Sequence, residues 1–217
     1  DLGFGASPVT VLELRDRLRA VTPLVDVVGI EIDAERVRAA SPFAGPGLSF
    51  AVGGFEVPLP QGRRPSVIRA FNVLRQYDES EVAGAWDLLT SRLAPDGIVV
   101  DGTCDEIGRR STWVSLDRDG PRSLTLSLAL RSIEVPSDVA ERLPKALIHH
   151  NVPGRPIHTY LSALDQAWAR AASLASYGRR QRFVASVRSL RDQGWPVMDG
   201  PARWRLGEVS VAWSAVS

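Results

Sequence analysis

Strand-like and helix-like stretches alternate through the first half of this chain, and that rhythm limits its fold more than any other feature. Val25–Glu31, Leu48–Val52, Ser66–Asn72 and Ile98–Asp101 are short apolar runs bounded by turn residues. Between them, apolar residues recur at helical spacing: Val11, Leu14, Leu18 and Val21 first, then Val82, Trp86, Leu89 and Leu93. Strands separated by helices pair in parallel, each helix crossing back over the sheet. The helix openings agree with this. Ser7 precedes Pro8, Asp33 precedes the segment with Val37 and Ala40, and Asp78 or Ser80 precedes Val82.

At 217 residues the chain is long enough for one sizeable core, so a single domain is expected. No run of 18 apolar residues occurs, and no basic-then-apolar leader, so no membrane association is expected. Cys104 is the only cysteine and has no intramolecular partner for a disulfide, which suits a cytoplasmic protein. A formal net charge of +1 argues against a strongly electrostatic nucleic-acid binder. The basic run Arg179-Arg180-Gln181-Arg182, with Arg188 and Arg191, reads as the solvated face of the helix that carries Phe183, Val184, Val187 and Leu190.

From about residue 107 to 177 the alternation breaks. Trp113–Leu116 and Ser123–Leu128 flank a turn and read as a hairpin; helical segments follow at Val139–His149 and Ile157–Ser176. Gly194–Val197 and Glu208–Val216 then read as two closing strands. The expected organisation is a core of residues 1–106 and 178–217 carrying a cap at about 107–177.

The chemistry sits in two places in the regular half. Asp1-Leu2-Gly3-Phe4-Gly5 is a strand end running into a glycine turn, where absent Cβ atoms let backbone approach a ligand closely. The helix after Pro8 aims its free N–H groups at that turn. Glu31, ending the second strand, has a carboxylate able to accept two ribose hydroxyls. Together they describe a nucleoside ligand lying across the sheet edge. A dinucleotide fingerprint needs a third glycine where Pro8 stands, which counts against NAD or FAD.

Asp1-Leu2-Gly3-Phe4-Gly5-Ala6-Ser7 resembles motif I of the class I S-adenosylmethionine-dependent methyltransferases, and Gly29-Ile30-Glu31-Ile32-Asp33 resembles their second-strand motif. Asn72–Tyr77 with Leu93–Gly97, and Arg191–Val197, are similar to their fourth-strand and last-helix segments. The resemblance covers about residues 1–104 and 178–217. It implies a mostly parallel seven-stranded α/β sheet with an antiparallel last strand, flanked by helices, with a hairpin-and-helix cap insertion. It also places most of the first strand upstream of Asp1.

By the same resemblance, S-adenosylmethionine is the cofactor. Asp1, Gly3 and Gly5 would meet its methionine part, Glu31 its ribose and Ile32 its adenine. Gly54 and Phe55 stand where relatives often place an adenine-contacting acid, and Asn72 would lie beside the cofactor. Methyl transfer needs a base only where the acceptor must lose a proton. His149, His150 and His158, with Tyr77, are the candidates, against the plainer reading of a polar loop between helices. The histidines lack the cysteines or spaced acids of a metal site, so no metal is expected. The acceptor is expected to be a small molecule. An RNA acceptor and a non-catalytic scaffold on the same fold are the alternatives, and the sequence leaves the oligomeric state open.

Overall fold

A computed structural model describes residues 1–217, apart from the side chain of Gln61. Its centre is one mixed sheet. On one flank β1 (Val27–Glu31) pairs in parallel with β2 (Leu48–Val52); on the other, β3 (Val67–Phe71) pairs in parallel with β4 (Ile98–Cys104). Leu2 joins the two halves through parallel bridges to Ile30 and Ala70. The Asp1 nitrogen donates to Val28 O, the Ile30 N–H to Asp1 O and the Leu2 N–H to Arg69 O, so this short stretch occupies a strand's place between β1 and β3.

The hairpin does not cap anything: β5 (Arg110–Asp117) and β6 (Gly120–Leu128) extend the sheet. β5 pairs antiparallel with β4, β6 with β5, and β7 (Glu208–Ala212) with β6. Reading across, the order is β2, β1, Leu2, β3, β4, β5, β6, β7, with β5 and β7 running against the rest. The expected sheet, parallel but for its last strand, is therefore corrected. Of the two expected closing strands, only β7 forms. Val197 contributes a single antiparallel bridge to Val211, and after Ala212 the chain turns into a 3-10 segment.

The correction has a clear cause. Thr112, Val114 and Leu116 alternate with half-exposed Ser111, Trp113 and Ser115, and Leu124, Leu126 and Leu128 lie on the same face as the first set. Such a face needs a helix layer to cover it, and joining the open edge of β4 puts it under one. That layer is α3 (Glu79–Arg92), α5 (Pro156–Arg170) and α6 (Arg179–Asp192), which bury Trp86, Leu89, Leu161, Leu164, Phe183 and Val187 against it. α1 (Val9–Arg19) and α2 (Ala34–Ala40) pack on the opposite face of β1 and β2, in a separate cluster of Phe4, Val11, Val27, Val37, Ala40 and Leu48.

Helix boundaries follow local chemistry. Asp33 caps α2 through Oδ1, accepting from Glu35 N at 2.8 Å and Arg36 N at 3.3 Å. Asp78 caps α3 in a capping box with Glu81, whose carboxylate accepts the Asp78 N–H at 2.8 Å. α1 starts at Val9, so Pro8 is its cap and not its first residue. Pro144 splits the expected Val139–His149 helix into a 3-10 segment and α4 (Lys145–Ile148). The expected Ile157–Ser176 helix changes to 3-10 after Arg170. No helix among the described residues is long and apolar enough to cross a membrane.

Three arginines of the basic run are structural rather than free. Arg179 Nη1 donates to the carbonyls of Leu130, Arg131 and Ile133 at 2.8–3.2 Å. Arg182 lies 4.0 Å over the Trp168 ring and donates to its carbonyl at 2.9 Å. Arg191 lies 5.1 Å from the centroid of Trp204. The solvated-face reading holds only for what remains of the run.

Candidate functional site

The ends of the parallel strands meet at one edge of the sheet, and the glycine turn sits among them. Gly3 and Gly5 take φ of +67° and +76°, the left-handed region that side chains resist. A Cβ on Gly3 would also strike the Val73 methyl group, whereas one on Gly5 would meet open space. The turn is therefore shaped at Gly3 by packing and left open at Gly5.

Glu31 organises the turn. Its side chain is almost fully buried (5% exposed), yet every polar demand on it is met by backbone. Oε2 accepts the Gly5 N–H at 2.8 Å, and Oε1 accepts those of Ile32 at 3.0 Å and Asp33 at 3.4 Å. Arg36 Nη1 lies 3.8 Å from Oε1. A carboxylate has about four acceptor positions, so this arrangement leaves capacity for one or two hydroxyl donors. Ile32, next in the chain, projects outward with 75% of its surface exposed, an apolar wall with nothing packed on it.

Asp1 faces elsewhere. Its carboxylate, 1% exposed, binds Arg69 Nη1 at 2.7 Å, and Arg69 lies 4.3 Å from the centroid of Phe71. That ion pair fixes the base of the turn and occupies the carboxylate. Asn72 also turns inward. At φ +60° it bends the chain out of β3, while Oδ1 accepts the Cys104 N–H at 3.0 Å and Nδ2 points to Cys104 Sγ at 3.4 Å. Its role in this structure is to tie the tips of β3 and β4 together. After β2, Gly54 N donates to Glu56 Oε1 at 2.9 Å, and the Phe55 ring packs against Tyr77 with centroids 5.2 Å apart. That aromatic pair joins the loops after β2 and β3.

Two of the three histidines gather on a residue that sequence reasoning missed. Glu79, the first residue of α3, holds His149 Nδ1 at 3.0 Å and His150 Nε2 at 2.6 Å, one on each carboxylate oxygen. These bonds pull the Glu79 carboxyl below the usual carboxylate range, His150 contributing most. With each imidazole donating to the carboxylate, His149 Nε2 and His150 Nδ1 carry the free lone pairs. Tyr77 stands two residues before Glu79, so the cluster adjoins the aromatic wall. His158 lies on the first turn of α5 and takes no part in it. The contact spans some 70 positions in sequence, and no local motif announces it. No group of three or more His, Cys, Asp or Glu side chains arranged to hold a metal ion occurs among the described residues.

Comparison with known proteins returns no matching family model and no matching curated protein. Solved structures do match in part. The CcbJ methyltransferase from Streptomyces caelestis is 17% identical with a TM-score of 0.36, covering 58% of this chain and 57% of that one. A TehB-like SAM-dependent methyltransferase from Corynebacterium glutamicum is 25% identical with a TM-score of 0.31, over 38% and 45%. The plantazolicin methyltransferase BpumL, solved with a pentazolic desmethylPZN analog and SAH, is 13% identical with a TM-score of 0.34, over 42% and 34%. In each case the match covers less than two thirds of the solved protein's length.

Proposed function

We propose that this chain binds S-adenosylmethionine at the edge formed by Gly3, Gly5, Glu31 and Ile32, and catalyses methyl transfer to a small-molecule acceptor in the cytoplasm. The observation that carries this reading is the Glu31 carboxylate. It is buried at the end of a parallel strand, hydrogen-bonded to the glycine turn, and keeps acceptor capacity beside an open apolar wall. A ribose needs such a paired acceptor, an adenine needs a flat apolar contact such as Ile32, and the open side of Gly5 admits the amino-acid end.

The bound donor supplies a methyl group already activated on a sulfonium sulfur, so alignment with the acceptor provides much of the rate. The protein's part is to hold the two in line and exclude water. In this reading Phe55 backs the adenine, and Tyr77, packed on its ring, extends that aromatic surface toward the acceptor. For an acceptor that reacts through O–H or N–H, this reading gives His150 the role of taking the proton, its ring fixed by Glu79. Loss of a proton to His150 Nδ1 leaves an imidazolium bound to a carboxylate, a favourable pair.

An RNA acceptor is less well supported, because Arg179, Arg182 and Arg191 are committed to carbonyls and indole rings. Incubation with methyl-labelled S-adenosylmethionine and either a low-molecular-weight cell fraction or total RNA separates the two. The label is expected in the small-molecule fraction; label confined to RNA would reverse the assignment.

A further inference from the structure

A cleft of about 260 Å³ opens on the same sheet edge, between the tip of β4, the start of β5 and the 3-10 segments at 130–132 and 136–142. Three arginines and three acids line it, but their pairing is uneven. Arg110 Nη1 binds Glu141 Oε1 at 2.8 Å. The Asp105 carboxylate is taken by the Arg109 backbone N–H at 2.7 Å. Arg142 is held only by two long ion pairs. Its nearest carboxylates, Glu106 and Glu141, stand at 3.7 and 3.8 Å, beyond hydrogen-bonding length, and its Nε is buried with no partner among the described residues. The Arg109 guanidinium likewise makes no hydrogen bond among them.

Arg142 is held in this position. Its carbonyl accepts the hydroxyls of both Thr103 and Thr112, and the neighbouring Glu141 carbonyl accepts Arg75 Nη1 at 3.1 Å. With only 23% of its side chain exposed, the guanidinium recovers little of the water it lost. A buried, unmet donor is costly, and a guanidinium presents its donors as a planar fork that matches two oxygens of one oxyanion. Glu106, at 85% exposure, is free to swing aside as such a group enters.

We propose that this cleft is an oxyanion-binding pocket in which Arg142, assisted by Arg109, holds a carboxylate or phosphate of a small ligand. Asp105 directly follows Cys104, which is bonded to Asn72 at the edge of the donor site. The bound oxyanion is accordingly the handle of the methyl acceptor, an assignment that rests on the methyl-donor reading above. Exposed Ile107 in the rim offers the apolar part of such a ligand a contact.

The test uses the full chain, with inorganic phosphate and benzoate as probes and the backbone amide resonance of Ile107, in the cleft lining, as the readout. Saturable displacement of that resonance by at least one probe is expected, and which probe acts tells phosphate esters from carboxylates. Arg142→Gln should lower the affinity at least tenfold and Arg109→Ala several-fold. Arg109 is exposed, so its variant keeps the test valid if Arg142→Gln fails to fold. No displacement at tens of millimolar, or wild-type affinity in either folded variant, would overturn the proposal. S-adenosylhomocysteine is titrated separately. Probe binding without it would keep the pocket and remove only its role as acceptor handle.

Discussion

At the residue scale, Glu31 and Asp101 show how one side-chain type serves opposite ends. Glu31 is buried but accepts three backbone N–H groups, which fix its carboxylate beside the glycine turn. Glu31→Ala removes the ribose acceptors, each worth about 0.5–1.5 kcal/mol net, so S-adenosylhomocysteine affinity should fall by roughly 5- to 100-fold in a calorimetric titration. Asp101 lies under α3 with a single partner, Trp86 Nε1 at 3.0 Å, and burial pushes its pKa up to about 7. A carboxyl whose folded pKa is raised costs nothing below its unfolded value near 4, then destabilises increasingly up to about pH 7 and constantly above it. Asp101→Asn keeps an acceptor for Trp86 and has no charge. Its stability gain over wild type in urea should be small at pH 4 and of order a few kcal/mol at pH 8; a gain independent of pH would contradict the assignment. Tyr160 buries its hydroxyl with no partner among the described residues. Tyr160→Phe should leave stability unchanged or raise it by about 1 kcal/mol, measured the same way.

At the element scale, the β6–β7 connection turns on Gly207. It has φ +85°, and a Cβ there would drive into the Leu128 carbonyl oxygen, which is backbone and cannot move aside. Gly207→Ala should therefore cost about 3 kcal/mol or more, seen as a large drop in the urea midpoint, and an unchanged midpoint would mean β7 docks differently. The alternating half of the chain was legible because periodicity and caps are local: Asp33 and Asp78 cap the helices that their neighbours suggest. The hairpin was equally legible as a hairpin, since Val114, Leu116, Leu124 and Leu126 alternate with polar residues. Its place in the sheet was not, because alternation says that a face is buried but not which element covers it. Glu79 and Arg142 were invisible for a similar reason. What marks them is a partner tens of residues away in one case and the lack of one in the other.

At the scale of the whole molecule, the sheet assigns separate duties to its parts. The parallel strands bring the glycine turn, Glu31 and Asn72 to one edge, and β5, added beyond β4, joins β4 in holding Arg142 through Thr112 and Thr103. Helices α3, α5 and α6 then cover one face, with Arg179 of α6 fastening the segment at 130–133. The central claim is that this edge receives the sulfonium nucleoside. The most direct check is calorimetric titration of the purified chain with S-adenosylmethionine, S-adenosylhomocysteine and NAD. The account predicts micromolar binding of the first two, weakened in Glu31→Ala, and none of NAD. A folded sample that binds neither sulfur nucleoside, or binds NAD in their place, would contradict it.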